Sequence, residues 1–139
     1  MTAPGIGTSR AGTVGRIALV AVLTAGCWFG WLGWDVEYQT DPLSGVASGP
    51  YEAWQVAGAL LCLVMVVIGA TVLLGPVAAV ATTAATFAIS WSITQATRDV
   101  TGMWLVGAIL VLFGVAAGAT VVAVATTAVA KNRRRGKAT

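Results

Sequence analysis

The chain predicts an all-α fold, a four-helix transmembrane bundle with both termini on the cytoplasmic side and a short ordered outer loop between the first two helices. Three observations carry this. Of its 139 residues 58% are hydrophobic and 9% charged, and the mean hydropathy is +0.86, more apolar surface than a soluble domain of this length can bury. All six tryptophans fall toward one end of the predicted spans, beside the acidic residues Asp35, Glu37, Asp41 and Glu52. Seven of the eight basic residues fall at the other end, with Arg10 and Arg16 before the first span and Lys131, Arg133, Arg134, Arg135 and Lys137 after the last. Lys and Arg are retained on the cytoplasmic side and indole rings favour the water–lipid boundary, so the division sets an orientation.

Residues 1–15 are small and polar, without periodicity, and read as a flexible cytoplasmic tail. The transmembrane domain then covers residues 16–130. Its first span, residues 17–34, has no charge; at ~1.5 Å per residue it reaches about 27 Å, close to the ~30 Å hydrocarbon core. Residues 35–53 form the outer loop, in which Asp41-Pro42-Leu43-Ser44-Gly45 and Ser48-Gly49-Pro50 are turn signals. The loop is expected to form a short hairpin or cap.

The next uncharged stretch, residues 53–97, would extend about 67 Å as one helix, more than twice the core thickness. It must turn, and Gly75-Pro76 lies near its middle. Glycine suits a left-handed helix C-cap and proline the first turn of the next helix, which divides the stretch into spans at about 54–74 and 77–94. The fourth span, about 102–130, is long enough to tilt. Residues 131–139 complete the chain as a basic cytoplasmic tail, whose Lys131, Arg133, Arg134, Arg135 and Lys137 hold the C-terminus inside.

The aromatic residues Trp28, Trp31, Trp34, Trp54, Trp91, Trp104, Tyr38 and Tyr51 gather at the outer ends. Anchoring in the interface suffices to explain them. Trp28, Trp31 and Trp34, at three-residue spacing, could instead line one side of a pocket for a cationic headgroup or a flat apolar ligand such as a quinone. Gly26 and Gly30 in the first span, and Gly114 and Gly118 in the fourth, follow the small-xxx-small pattern that lets helices approach closely in lipid; Gly107 shares a face with the latter pair. Packing within the bundle is the preferred reading of these glycines, over a contact between copies. Thr83, Thr86 and Ser90 form a hydroxyl stripe on the third span, and hydroxyls of this kind can bond back to their own helix.

No Asp, Glu, Lys, Arg or His interrupts a span, and histidine is absent from the chain. Ion-coupled transporters and proton relays place an ionisable residue inside the membrane, so that chemistry is not expected. The size and four-span layout are similar to those of the small multidrug-resistance transporters, whose hallmark is a glutamate in the first span; this first span has none. The acidic loop residues could converge on calcium, but their spacing follows no calcium-loop pattern, and no metal, cofactor or catalytic residue is expected. The basic residues form tail anchors rather than a folded patch, which argues against nucleic acid as a partner.

Cys27 and Cys62 lie seven and eight residues inward from Trp34 and Trp54. In antiparallel helices they stand at similar depth, so a disulfide is possible on the oxidising outer side. Leu23-Thr24-Ala25-Gly26-Cys27 also resembles a bacterial lipoprotein signal, although Trp28-Phe29-Gly30-Trp31-Leu32 continues the apolar run where a polar tether is usual.

The functional expectation is a small non-enzymatic protein of the bacterial inner membrane, an accessory or assembly subunit whose partners are the lipid bilayer and other membrane subunits or itself. Its rivals are a small oligomeric transporter or channel without an intramembrane charge, a lipoprotein processed at Cys27, and a redox protein using the two cysteines.

Overall fold

The computed structural model describes residues 6–136 apart from 36 and 38, and it is built of four long helices. They are α1 (Ile6–Trp31), α2 (Ala53–Leu74), α3 (Pro76–Ala96) and α4 (Trp104–Gly136). Each has a stretch long and apolar enough to cross a membrane. Between α1 and α2, β1 (Gln39–Thr40) pairs antiparallel with β2 (Ala47–Ser48), with Gln39 opposite Ser48 and Thr40 opposite Ala47.

The buried positions show why these segments associate. In α1 they are Val20, Thr24, Cys27 and Trp28, and in α2 Gln55, Ala59, Val67, Ala70 and Thr71, spacings that keep them on one helical face. The buried threonines do not break the helices, because Thr24 Oγ1 donates to the Val20 carbonyl at 2.8 Å and Thr71 Oγ1 to the Val67 carbonyl at 2.7 Å. α2 and α3 form the middle of the bundle: both touch every other helix, whereas α1 and α4 share no contact among the described residues. Only Ala119 and Ala123 of α4 are fully buried.

The α2–α3 connection is a single residue. Gly75 has φ 85° and ψ 164°, and Pro76 opens α3. The sequence reading placed the turn correctly but expected a left-handed helical cap; the observed conformation is the extended positive-φ region, which is essentially restricted to glycine. It reverses the chain in one residue, so the Gly75 carbonyl accepts the Ala79 N–H at 3.0 Å and its own N–H donates to the Thr71 carbonyl at 3.0 Å.

Two boundaries differ from the sequence reading. α1 begins at Ile6 rather than near residue 17, so most of the expected tail is helical, and its residues from Arg10 to Leu19 are exposed. α4 runs on through Arg133–Arg135 to Gly136. Helical pattern alone cannot mark an end where no proline or turn signal interrupts the chain, and basic side chains near a helix C-terminus favour the helix dipole.

Candidate functional site

At the end of the bundle carrying the hairpin, hereafter the loop end, the aromatic residues do not form a common belt. Trp28 is 2% exposed and belongs to a core cluster with Leu32, Ala59 and Phe87. Its ring meets Phe87 edge-on at 5.5 Å and Tyr51 at 6.0 Å, and its Nε1–H donates to Thr94 Oγ1 at 3.0 Å. Trp31 sits between α1 and α2, whereas Trp34 and Trp54 are 60% and 55% exposed. The alternative reading, in which Trp28, Trp31 and Trp34 line one side of a pocket, is not supported by this arrangement. Trp28 and Trp31, three residues apart, stand about 60° from each other around α1, and Trp34 lies beyond the helix end at Trp31. Trp91 and Trp104 border a cavity of about 480 Å³ at this end, together with Tyr51, Gln95, Arg98 and Asp99. Tyr38 lies outside the described residues.

Three of the acidic loop residues, Asp35, Asp41 and Glu52, are spent on local structure. Asp41 Oδ1 accepts the Leu43 N–H at 2.9 Å, and Asp41 Oδ2 accepts the Ser44 hydroxyl at 2.8 Å, which organises the turn between β1 and β2. Glu52 and Gln55 form a reciprocal capping box at the start of α2, and Glu52 also accepts from Trp54 Nε1. Gln55 is almost fully buried and reaches back from Nε2 to Asp35 Oδ2 at 2.9 Å, tying the end of α1 to the start of α2. Asp99 accepts the Thr101 N–H at 2.7 Å and the Trp104 N–H that opens α4. Hydrogen bonds hold the carboxyls of Asp41 and Asp99 below the ordinary value of 3.8. For Asp41 the backbone N–H of Leu43 contributes most, and for Asp99 the Thr101 hydroxyl does. No group of three or more His, Cys, Asp or Glu among the described residues is placed to hold a metal ion.

The glycines divide in an unexpected way. Gly107 lies under Trp91, where an added Cβ would stand 2.3 Å from the ring. At Gly26, Gly30, Gly114 and Gly118 an added Cβ would meet nothing within 4 Å. Packing within the bundle, the preferred expectation, accounts for Gly107 alone of the five. The closest approach of all that the sequence reading missed is at Gly58, whose Cβ would fall 2.4 Å from Trp31. Its signal was available: a glycine on α2 at the depth where α1 carries a large ring.

Gly114 and Gly118 instead line a groove of about 420 Å³ between α2 and α4, with Leu60, Val64, Val115 and Val122 among its walls. A second groove of about 650 Å³, between α1 and α2, takes in Gly26 and both cysteines. Cys27 and Cys62 are free thiols, Cys27 only 6% exposed. The hydroxyl stripe turns inward: Thr83 and Ser90 are buried and Thr86 is half-buried, and Thr83 Oγ1 has no hydrogen-bond partner among the described residues.

At the opposite end, hereafter the terminal end, Lys131 and Arg133–Arg135 are exposed on the last turns of α4, and Lys137 lies outside the described residues. Arg16 Nη1 donates to the Leu73 carbonyl at 3.4 Å, placing a cation at the C-terminus of α2. No protein-family model, curated protein or solved structure matches this chain.

Proposed function

We propose that this chain is a multi-pass protein of a bacterial inner membrane, both termini cytoplasmic, acting as a non-enzymatic accessory or assembly subunit of a larger membrane complex. The observation that carries this reading is the α2–α4 groove. Its floor contains Gly114 and Gly118, neither used by the bundle itself, on the helix with the least buried surface. In a bilayer helices associate through close packing and backbone approach, and an uncharged groove with a glycine floor fits another helix better than a polar solute. The basic residues of the terminal end support the orientation.

A channel through the monomer is a weaker reading. Trp28, Leu32, Ala59 and Phe87 pack together in the interior at the loop end of the Thr83–Ser90 stripe, so a conducting path would have to form between copies.

The test is a mild-detergent pull-down of tagged protein from its native membrane, comparing wild type with the double variant Gly114→Leu, Gly118→Leu. Stoichiometric recovery of a larger complex, lost in the variant while its helical content persists, is the expected result. Recovery of the chain only with itself, as a discrete oligomer, would overturn the subunit reading and favour an oligomeric transporter.

A further inference from the structure

The α1–α2 groove concentrates the reactive side chains that the subunit reading leaves unused. Cys27 and Cys62 both line it, one from α1 and the other from α2. Cys27 is buried and Cys62 half-buried, so an agent entering the groove reaches Cys62 more readily. Trp31 distinguishes the two further, because its Nε1–H donates to Cys62 Sγ at 3.3 Å. That donor is held in place. The Trp31 ring lies directly on the Gly58 backbone, and it packs edge-on against Trp54 at 6.1 Å and 70°. A fixed N–H directed at the sulfur holds the Cys62 side chain in one orientation at the groove wall.

We propose that Cys27 and Cys62 are a redox-active dithiol, oxidised to an intramolecular disulfide by a lipid-soluble two-electron acceptor of the quinone class that enters through the α1–α2 groove. The class of oxidant follows from the walls. Besides the two thiols, the groove is lined by Val22, Leu23, Leu61, Met65 and Val66 with Gly26 and Trp31, and no charged side chain among the described residues borders it. In a membrane-spanning bundle such a groove opens to lipid, so an apolar ring reaches the sulfurs where a charged aqueous oxidant does not; to this extent the proposal rests on the membrane reading.

The chemistry balances with these groups alone. Cys62 Sγ bonds to a quinone ring carbon, and its proton passes to one ring oxygen. Cys27 Sγ then attacks Cys62 Sγ: the S–S bond forms, the C–S bond breaks and its electron pair stays with the ring. The Cys27 proton goes to the second oxygen, and a quinol leaves with the two electrons and two protons of the dithiol. Trp31 is a positioning residue in this scheme. It holds Cys62 ready without touching the ring that is reduced.

The experiment uses reduced full-length protein in liposomes, exposed without air to a ubiquinone carrying a decyl tail or to oxidised glutathione, followed by maleimide labelling and intact mass. Flotation with the liposomes first tests the membrane reading by itself. In protein that floats, the quinone is expected to remove both labelling sites with one quinol formed per chain. Cys62→Ser should consume no quinone, and Cys27→Ser should stop at a covalent adduct. Trp31→Phe should slow oxidation about tenfold and slow the alkylation of Cys62 while leaving that of Cys27 unchanged, a split that simple loosening of the helices does not produce. Floating protein that keeps both thiols in quinone, or that is oxidised by glutathione disulfide and not by quinone, would overturn the proposal.

Discussion

The two ends of the bundle are built from different materials. At the loop end, Trp28, Leu32, Ala59 and Phe87 form a core against which Trp31, Tyr51 and Trp91 pack, and side-chain bonds such as Trp28 to Thr94 and Gln55 to Asp35 link separate segments. Toward the terminal end the cores are small, one of Val20, Ala70 and Ala79, the other of Val67, Ala119 and Ala123. Large rings fill the space between the helices around Trp28, whereas alanines and valines bring helices together at smaller contacts with a groove between α2 and α4. The loop end therefore holds the fold, and the small-residue half of α4 is the surface that the proposed partner would cover.

The comparison breaks most directly at Trp28. Trp28→Ala removes a ring packed on two others and leaves Thr94 without its donor, so a loss of about 3–5 kcal/mol is expected. A thermal or denaturant midpoint in a fixed detergent measures it, and a loss comparable to that of Val20→Ala would mean that the loop end is not the stronger half. A sharper contrast comes from the glycines. Gly58→Ala drives a Cβ into the Trp31 ring, and overpacking of this kind costs about 1–3 kcal/mol. Gly118→Ala meets open space, so only the higher helix propensity of alanine remains, roughly 1 kcal/mol in favour of the folded state. The two substitutions should move the midpoint in opposite directions; movement in the same direction would remove the distinction between used and unused glycines.

Much of this division was legible in the chain, but not its most telling part. Four apolar stretches and the Gly75-Pro76 break locate the helices, because each depends on local composition and backbone geometry. What a residue touches is another matter. Trp28 and Trp34 are the same residue type six positions apart, one 2% and the other 60% exposed, because α1 turns Trp28 toward α2 and α3 whereas Trp34 lies beyond the end of that helix. In soluble helices an apolar stripe betrays that direction; here every face is apolar, so the periodic contrast is missing. Small-xxx-small spacing likewise marks a surface that permits close approach, without stating whether the partner lies in the same chain. The capping box of Glu52 and Gln55 was readable from their spacing. The burial of Gln55 and its bond to Asp35 needed the three-dimensional arrangement.

The smallest expected effect concerns how the loop end is fastened to α4. Asp99 carries the N–H groups of Thr101 and Trp104, and these bonds favour its charged form, lowering its pKa below the ordinary 3.8. The folded state then binds a proton less readily than the unfolded chain. Stability from this carboxylate is fully present above about pH 4 and is lost as the pH falls through the lowered folded value. Because Asp99 accepts hydrogen bonds in an open setting, the effect should stay local: the backbone N–H resonances of Thr101 and Trp104 shift together below pH 3.8, while the Trp28 indole N–H, bonded to Thr94 inside the bundle, does not. In Asp99→Asn the same resonances should lose that titration. A midpoint above 3.8, or a Trp28 signal that moves with them, would mean that the cap and the aromatic core are one cooperative unit, and the loop end would have to be treated as a single structure rather than a core with a separately fastened turn.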